Sequence, residues 1–199
     1  RNGRDWERGN ENYGPGQAGY RVEGEQITGT MYGQIFRVFA DSMKAADPTI
    51  HLGAVIYPLD EDYDDWTAEV LPQVQNDADF LIVHDYFVRN PNENSISYGQ
   101  MMASVSEVSE DAASVRSMVA QYTSQPSDHF ALAFTEYNSN TGNREVAMAN
   151  ALFIARFRLA QSQEGFDLPM IWNLQSGVAA DGGSHGLLAK NSPHQPNGS

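Results

Sequence analysis

Two glutamates stand in settings that could support chemistry. Glu11 closes the stretch WERGNE and precedes the glycine-rich NYGPG, while Glu136 follows the apolar run ALAF-Thr and precedes YNSNTGN. A carboxylate at the mouth of a strand can be a surface charge, a metal ligand or a proton donor, and its partner decides which. Two such groups facing one cavity can share the acid and nucleophile roles of glycoside hydrolysis. Side chains alternate along a strand, so Glu7, Gly9 and Glu11 are expected to share one face, as are Leu132, Phe134 and Glu136. Asn10 stands beside Glu11, His84 and Tyr86 end another apolar run, and Trp172 with Asn173 end a fourth. Aromatic faces stack on sugar rings, and His, Asn and Tyr exchange hydrogen bonds with hydroxyls.

The elements that must hold these residues alternate along the chain. HLGAVIYP (51–58), DFLIVHDYF (79–87), HFALAFTEYN (129–138) and LPMIWNLQSG (168–177) read as short strands, and RDWERGNE (4–11) makes a fifth. Between them, Tyr32, Ile35, Phe36, Phe39 and Met43 form one helical stripe over 29–46, which Asp47-Pro48 ends. Trp66, Val70 and Val74 share one side of a shorter helix, and Met101 to Tyr122 carry a longer stripe. A last helix over 145–163 is apolar nearly all round, as expected of one wedged between neighbours. Strict alternation of strand and helix predicts a parallel sheet with helical crossovers. Five strands are too few for a closed (β/α)8 barrel of about 250 residues. The fold is therefore expected to be part of a TIM barrel or, failing that, an open doubly wound sheet. By alternation Arg8 faces the helix layer, where a guanidinium needs a partner or an exit to solvent.

Composition narrows the function classes. The chain of 199 residues has a net charge of −14, a field that repels nucleic acid and anionic membranes. With no cysteine, disulfides, iron–sulfur clusters and thiolate zinc sites are excluded. No run approaches the roughly 18 apolar residues of a membrane span. GPGQAG (14–19) matches a dinucleotide fingerprint formally, but YRVEGE follows where a helix should open, so a substrate-side loop is expected instead. DEDYDD (60–65) lacks the glycine and terminal glutamate of a calcium loop and reads as a solvated acidic turn. The histidines show no metal-binding spacing, and neither metal nor cofactor is expected. The opening RNGRDW reads as the inside of a longer protein, with residues 1–189 as barrel and 190–199 as a loop or linker onward.

Taken in order, these motifs resemble glycoside hydrolase clan A. WERGNE resembles the Gly-Asn-Glu end of strand four, FTEYN the nucleophile strand seven, and VHDYF the His-x-Tyr end of strand six in family 51 arabinofuranosidases. IWNLQSG is similar to the strand-eight tryptophan segment, and SMKAADPTIHLGAV to the link from helix four to strand five. The resemblance implies a chain covering strands four to eight, with Glu11 as general acid/base and Glu136 as nucleophile. It further implies that Asn10 binds the hydroxyl beside the reacting carbon, that Tyr86 bonds the nucleophile carboxylate, and that His84 and Trp172 line the sugar subsite. His84 also reads as a satisfied core histidine, and Trp172 as a plug of the barrel mouth. A retaining mechanism would set the two carboxyl groups about 5–5.5 Å apart. Arg8 departs from the family, which carries an apolar residue there, and Glu7 is expected inside the barrel against a cation from the other strands.

The expected function is retaining hydrolysis of a plant or algal poly- or oligosaccharide outside the cytoplasm, in a secreted or periplasmic setting. An α-L-arabinofuranosidase comes first; a marine agarase or another clan A endo-glycanase is the alternative. A non-catalytic carbohydrate-binding barrel and a doubly wound nucleotide-binding domain are the rivals. The remaining barrel strands are the expected protein partner, because five strands alone would leave two raw sheet edges.

Overall fold

The computed structural model describes residues 3–59, 63–87, 96–180, 182–189 and 192–196. Five strands form one sheet in the order β1 (Asp5–Arg8), β4 (His51–Val55), β5 (Phe80–Phe87), β6 (Ala131–Ser139), β7 (Phe166–Ile171). The pairings of β1 with β4 and of β4 with β5 are parallel. Between β1 and β4 lie a small hairpin, β2 (Arg21–Val22) with β3 (Glu25–Gln26), and helix α1 (Gly29–Ala46). The other helices are α2 (Trp66–Val74), α3 (Tyr98–Ala103), α4 (Glu107–Tyr122) and α5 (Met148–Gln163). All five expected strands and the helices between them are present. The acidic stretch 60–65 falls partly outside the described residues.

The chain forms two compact units, Arg1–Val83 with Asp111–Ala133 and His84–Glu110 with Phe134–Ser199. In the first, α1 begins at Thr28, whose side chain accepts from the Met31 N–H, and ends where Asp47 turns extended ahead of Pro48. The Asp47 carboxylate accepts from the Thr49 N–H and hydroxyl, which holds its pKa below the ordinary value. Tyr32, Phe36 and Ala40 are buried, whereas Phe39 stays half exposed beneath the Arg8 guanidinium. A Cβ on Gly33 would meet the Gln73 side chain at 2.4 Å, so α1 lies close against α2. Arg8 does face the helix layer: its guanidinium lies 4.8 Å from the centre of the Tyr32 ring, a cation–π contact.

Tyr32 ties three elements together. Its buried hydroxyl donates to the Arg8 carbonyl at 2.6 Å and accepts from the Val55 N–H at 2.9 Å, joining α1 to the ends of β1 and β4. Burial pushes the phenol pKa well above its ordinary value. Tyr32→Phe orphans both backbone groups, and thermal unfolding should show a loss of about 2–4 kcal/mol. The pH dependence has a fixed sign. Below about pH 10 the phenol is neutral whether folded or unfolded; above it only the unfolded state loses the proton, so stability falls as pH rises. The variant should lack that alkaline loss.

The second unit is built on aromatic packing. Phe134 lies 4.3 Å from Phe166 between ring centres and 6.0 Å from Phe157, while Phe87 lies 4.2 Å from Phe157. On α5, Phe153 and Phe157 are buried, but Met148, Leu152 and Leu159 are exposed. The apolar girdle of this helix is thus not wedged on all sides by the described residues. Beyond β7, β8 (Gln175–Ser176), β9 (Leu188–Ala189) and β10 (Ser192–Pro196) form a separate three-stranded sheet. Residues 192–196 are therefore strand, not the loop or linker expected over 190–199.

Candidate active site

Local hydrogen bonding shapes the loop after β1. The strand stops at Arg8, Gly9 takes φ +93°, and turns follow to residue 20. Glu11 therefore sits in a turn three residues beyond the strand, not at its last position, and strand alternation from Glu7 does not reach it. The Asn12 side chain is 4% exposed and organises the loop: its Oδ1 accepts from the Asn10 N–H, and its Nδ2 donates to the Ala18 carbonyl. A Cβ on Gly9 would fall 2.0 Å from Asn12 Oδ1, and one on Gly19 2.3 Å from Nδ2. Both glycines also hold positive φ. Gly19 of GPGQAG thus serves a turn around Asn12, and helix α1 starts only at Gly29. Gln17 bridges the two residues of interest, donating to Glu11 Oε2 at 2.7 Å and accepting from Asn10 Nδ2 at 3.3 Å.

In the second unit, β5 and β6 bring His84, Tyr86 and Glu136 together. The Tyr86 hydroxyl donates to Glu136 Oε2 at 2.9 Å, and His84 Nδ1 lies 4.0 Å from the same oxygen. His84 is 3% exposed, and its Nε2 is hydrogen-bonded to Thr135 Oγ1 at 2.8 Å. Thr135 and Glu136 are consecutive, yet both turn toward the His84 and Tyr86 side chains. Phe134 instead packs with Phe157 of α5. Leu132, Phe134 and Glu136 therefore do not share the face expected for them: alternation breaks between Thr135 and Glu136. Such irregularities re-aim side chains beside active sites.

Trp172 and Asn173 follow β7 and are joined by a cis peptide. The Trp172 N–H donates to the Tyr137 carbonyl, and Asn138 Nδ2 donates to the carbonyls of Trp172 and His185. The Trp172 side chain is open to solvent, whereas Asn173 Oδ1 is buried with no hydrogen-bond partner among the described residues. His185 stacks on Tyr86, ring centres 5.2 Å apart and 27° between planes. Gln17, Thr135, Asn138 and His185 were not evident from sequence. Thr135 and Asn138 had a local signal, lying one residue before and two residues past Glu136 within FTEYN. A cavity of about 760 Å³ in this unit is lined by α5 and by Ile171, Ser184 and Leu187. Asn138, Glu145 and His185 also line it, whereas Glu136 and Tyr86 do not.

The sheet and its crossover helices define part of a (β/α)8 barrel. Solved structures to which the chain is similar include glycoside hydrolases. An α-L-arabinofuranosidase of Thermotoga maritima, in complex with arabinose, superposes with a TM-score of 0.70 at 21% identity, over 93% of this chain and 35% of its own. The GH51 α-L-arabinofuranosidase of Thermotoga petrophila gives 0.71 at 20%, over 97% and 36%. A family 44 xyloglucanase of Paenibacillus polymyxa gives 0.65 at 15%, over 87% and 43%. The chain spans about a third of the length of these arabinofuranosidases. No protein-family model and no curated protein matches the sequence.

Proposed function

We propose that the chain carries the reacting groups of a retaining glycoside hydrolase, with Glu136 as nucleophile and Glu11 as general acid/base. The observation that supports this most is the Glu136 carboxylate held by the Tyr86 phenol at 2.9 Å on a strand of a barrel-type sheet. In the first step a Glu136 oxygen attacks the anomeric carbon as the glycosidic C–O bond breaks, and Glu11 gives its proton to the departing oxygen. A glycosyl ester forms on Glu136. In the second step water attacks that carbon, Glu11 takes the water's proton, and the ester bond breaks to restore Glu136. Asn10 bonds the neighbouring hydroxyl, Trp172 and Asn173 lie along the sugar, and His84 stays behind the nucleophile.

The substrate class we propose is an α-L-arabinofuranoside in plant or algal polysaccharide, met outside the cytoplasm. The Gly-Asn-Glu and His-x-Tyr motifs support it, as does the likeness to arabinofuranosidase structures. The test is proton NMR of the first-formed product from arabinofuranosides, xyloglucan fragments and agaro-oligosaccharides. Retained anomeric configuration with the arabinofuranoside is expected; inversion would contradict the mechanism, and turnover of another sugar would move the substrate class. Tyr86→Phe removes a hydrogen bond to a charged group, and kcat should fall about 10- to 100-fold.

A further inference from the structure

We propose that His185, held by Glu145, is a positioning residue that keeps the Tyr86 hydroxyl on the nucleophile. This rests on the assignment of Glu136 above. His185 is held through both its main chain and its ring. Its backbone carbonyl accepts from Asn138 Nδ2 at 3.0 Å and from the Asn173 N–H at 3.1 Å. Its Nε2 lies 3.3 Å from Glu145 Oε1, and the Glu145 side chain is only 7% exposed. Glu145 is fixed in turn, since the same oxygen accepts from the Thr141 N–H at 3.2 Å.

The imidazole plane lies nearly parallel to the Tyr86 ring. A phenol on a strand can swing about its χ angles, and a flat group packed on one face removes that freedom. The chain of contacts therefore runs Glu145, His185, Tyr86, Glu136, and only its last link touches a reacting atom. His185 enters from the loop between β8 and β9 and stacks on Tyr86, and it is through Tyr86 that it is proposed to act.

The test compares His185→Ala, His185→Phe and Tyr86→Phe, alone and combined, in the pre-steady-state burst from an activated dinitrophenyl glycoside. His185→Ala should slow the burst about tenfold. His185→Phe, which keeps a flat ring on Tyr86 but loses the Glu145 contact, should recover only part of the rate. In the Tyr86→Phe background His185→Ala should change the rate less than about twofold, because the coupling is gone. Equal losses in both backgrounds, or no loss in either, would overturn the proposal. The ¹³Cζ resonance of Tyr86 gives a readout independent of turnover: it should shift in His185→Ala and return toward its original position in His185→Phe. If the wild-type protein releases no dinitrophenol from any such glycoside, the glycosidase reading fails, and this resonance still decides whether His185 sets the phenol; an unmoved signal would overturn it.

Discussion

Glu136→Gln should lower kcat by about 10⁴-fold or more, the scale seen when the nucleophile of a covalent mechanism is removed. The amide nearly preserves the volume and can still accept from Tyr86, so folding should be unaffected and a thermal melt should match the wild type. What is lost is the negative charge that forms the glycosyl ester. Glu136→Gly sharpens the expectation by opening space for an external anion. Azide should then attack the substrate from the vacated side and yield a glycosyl azide of inverted configuration. Rescue with retained configuration would show that another group is the nucleophile.

Glu11→Ala is expected to have the second largest effect, and one that depends on the leaving group. General acid catalysis contributes about 10²–10⁴-fold when the departing oxygen needs a proton. An alkyl or sugar leaving group should therefore lose that factor, whereas a dinitrophenyl glycoside, whose phenolate leaves unaided, should form the ester almost as fast as before. Breakdown of the ester then lacks its base, so the intermediate should accumulate. Azide should speed that second step and give a product of retained configuration, the opposite outcome to the Glu136 variant. Gln17→Ala is milder: it removes the donor to Glu11 Oε2 and should raise KM and lower kcat by a few-fold, about the factor of one exposed hydrogen bond.

The parts legible in the sequence are those with local causes. Helix α1 carries its own start and stop in Thr28 and Asp47-Pro48, and its bounds match the apolar stripe. Four of the five strands are short apolar runs flanked by turn residues, whereas β1 is the charged DWER; their alternation with helices gives the parallel sheet. Alternation misleads at both glutamates. Gly9 leaves the extended backbone before Glu11, and Thr135 and Glu136 turn to the same side. Both breaks of a local rule fall at the proposed site, where strain and irregularity are expected. His185 had no signature, since its role comes from Glu145 and Tyr86, which only the fold brings to it. The exposed apolar residues of α5 show that an all-round pattern reports what a helix could bury, not what the described residues cover.

Covalent labelling tests the central claim most directly. Mechanism-based fluorosugars and cyclitol aziridines of the arabino-, xylo-, gluco- and galacto- series would be incubated with the protein, and the adduct located by peptide mass mapping. One glycosyl group on Glu136 from the arabino- reagent, absent in Glu136→Gln, is the expected result. An adduct on a different carboxylate, or none from any series in a protein that still binds oligosaccharide, would contradict it.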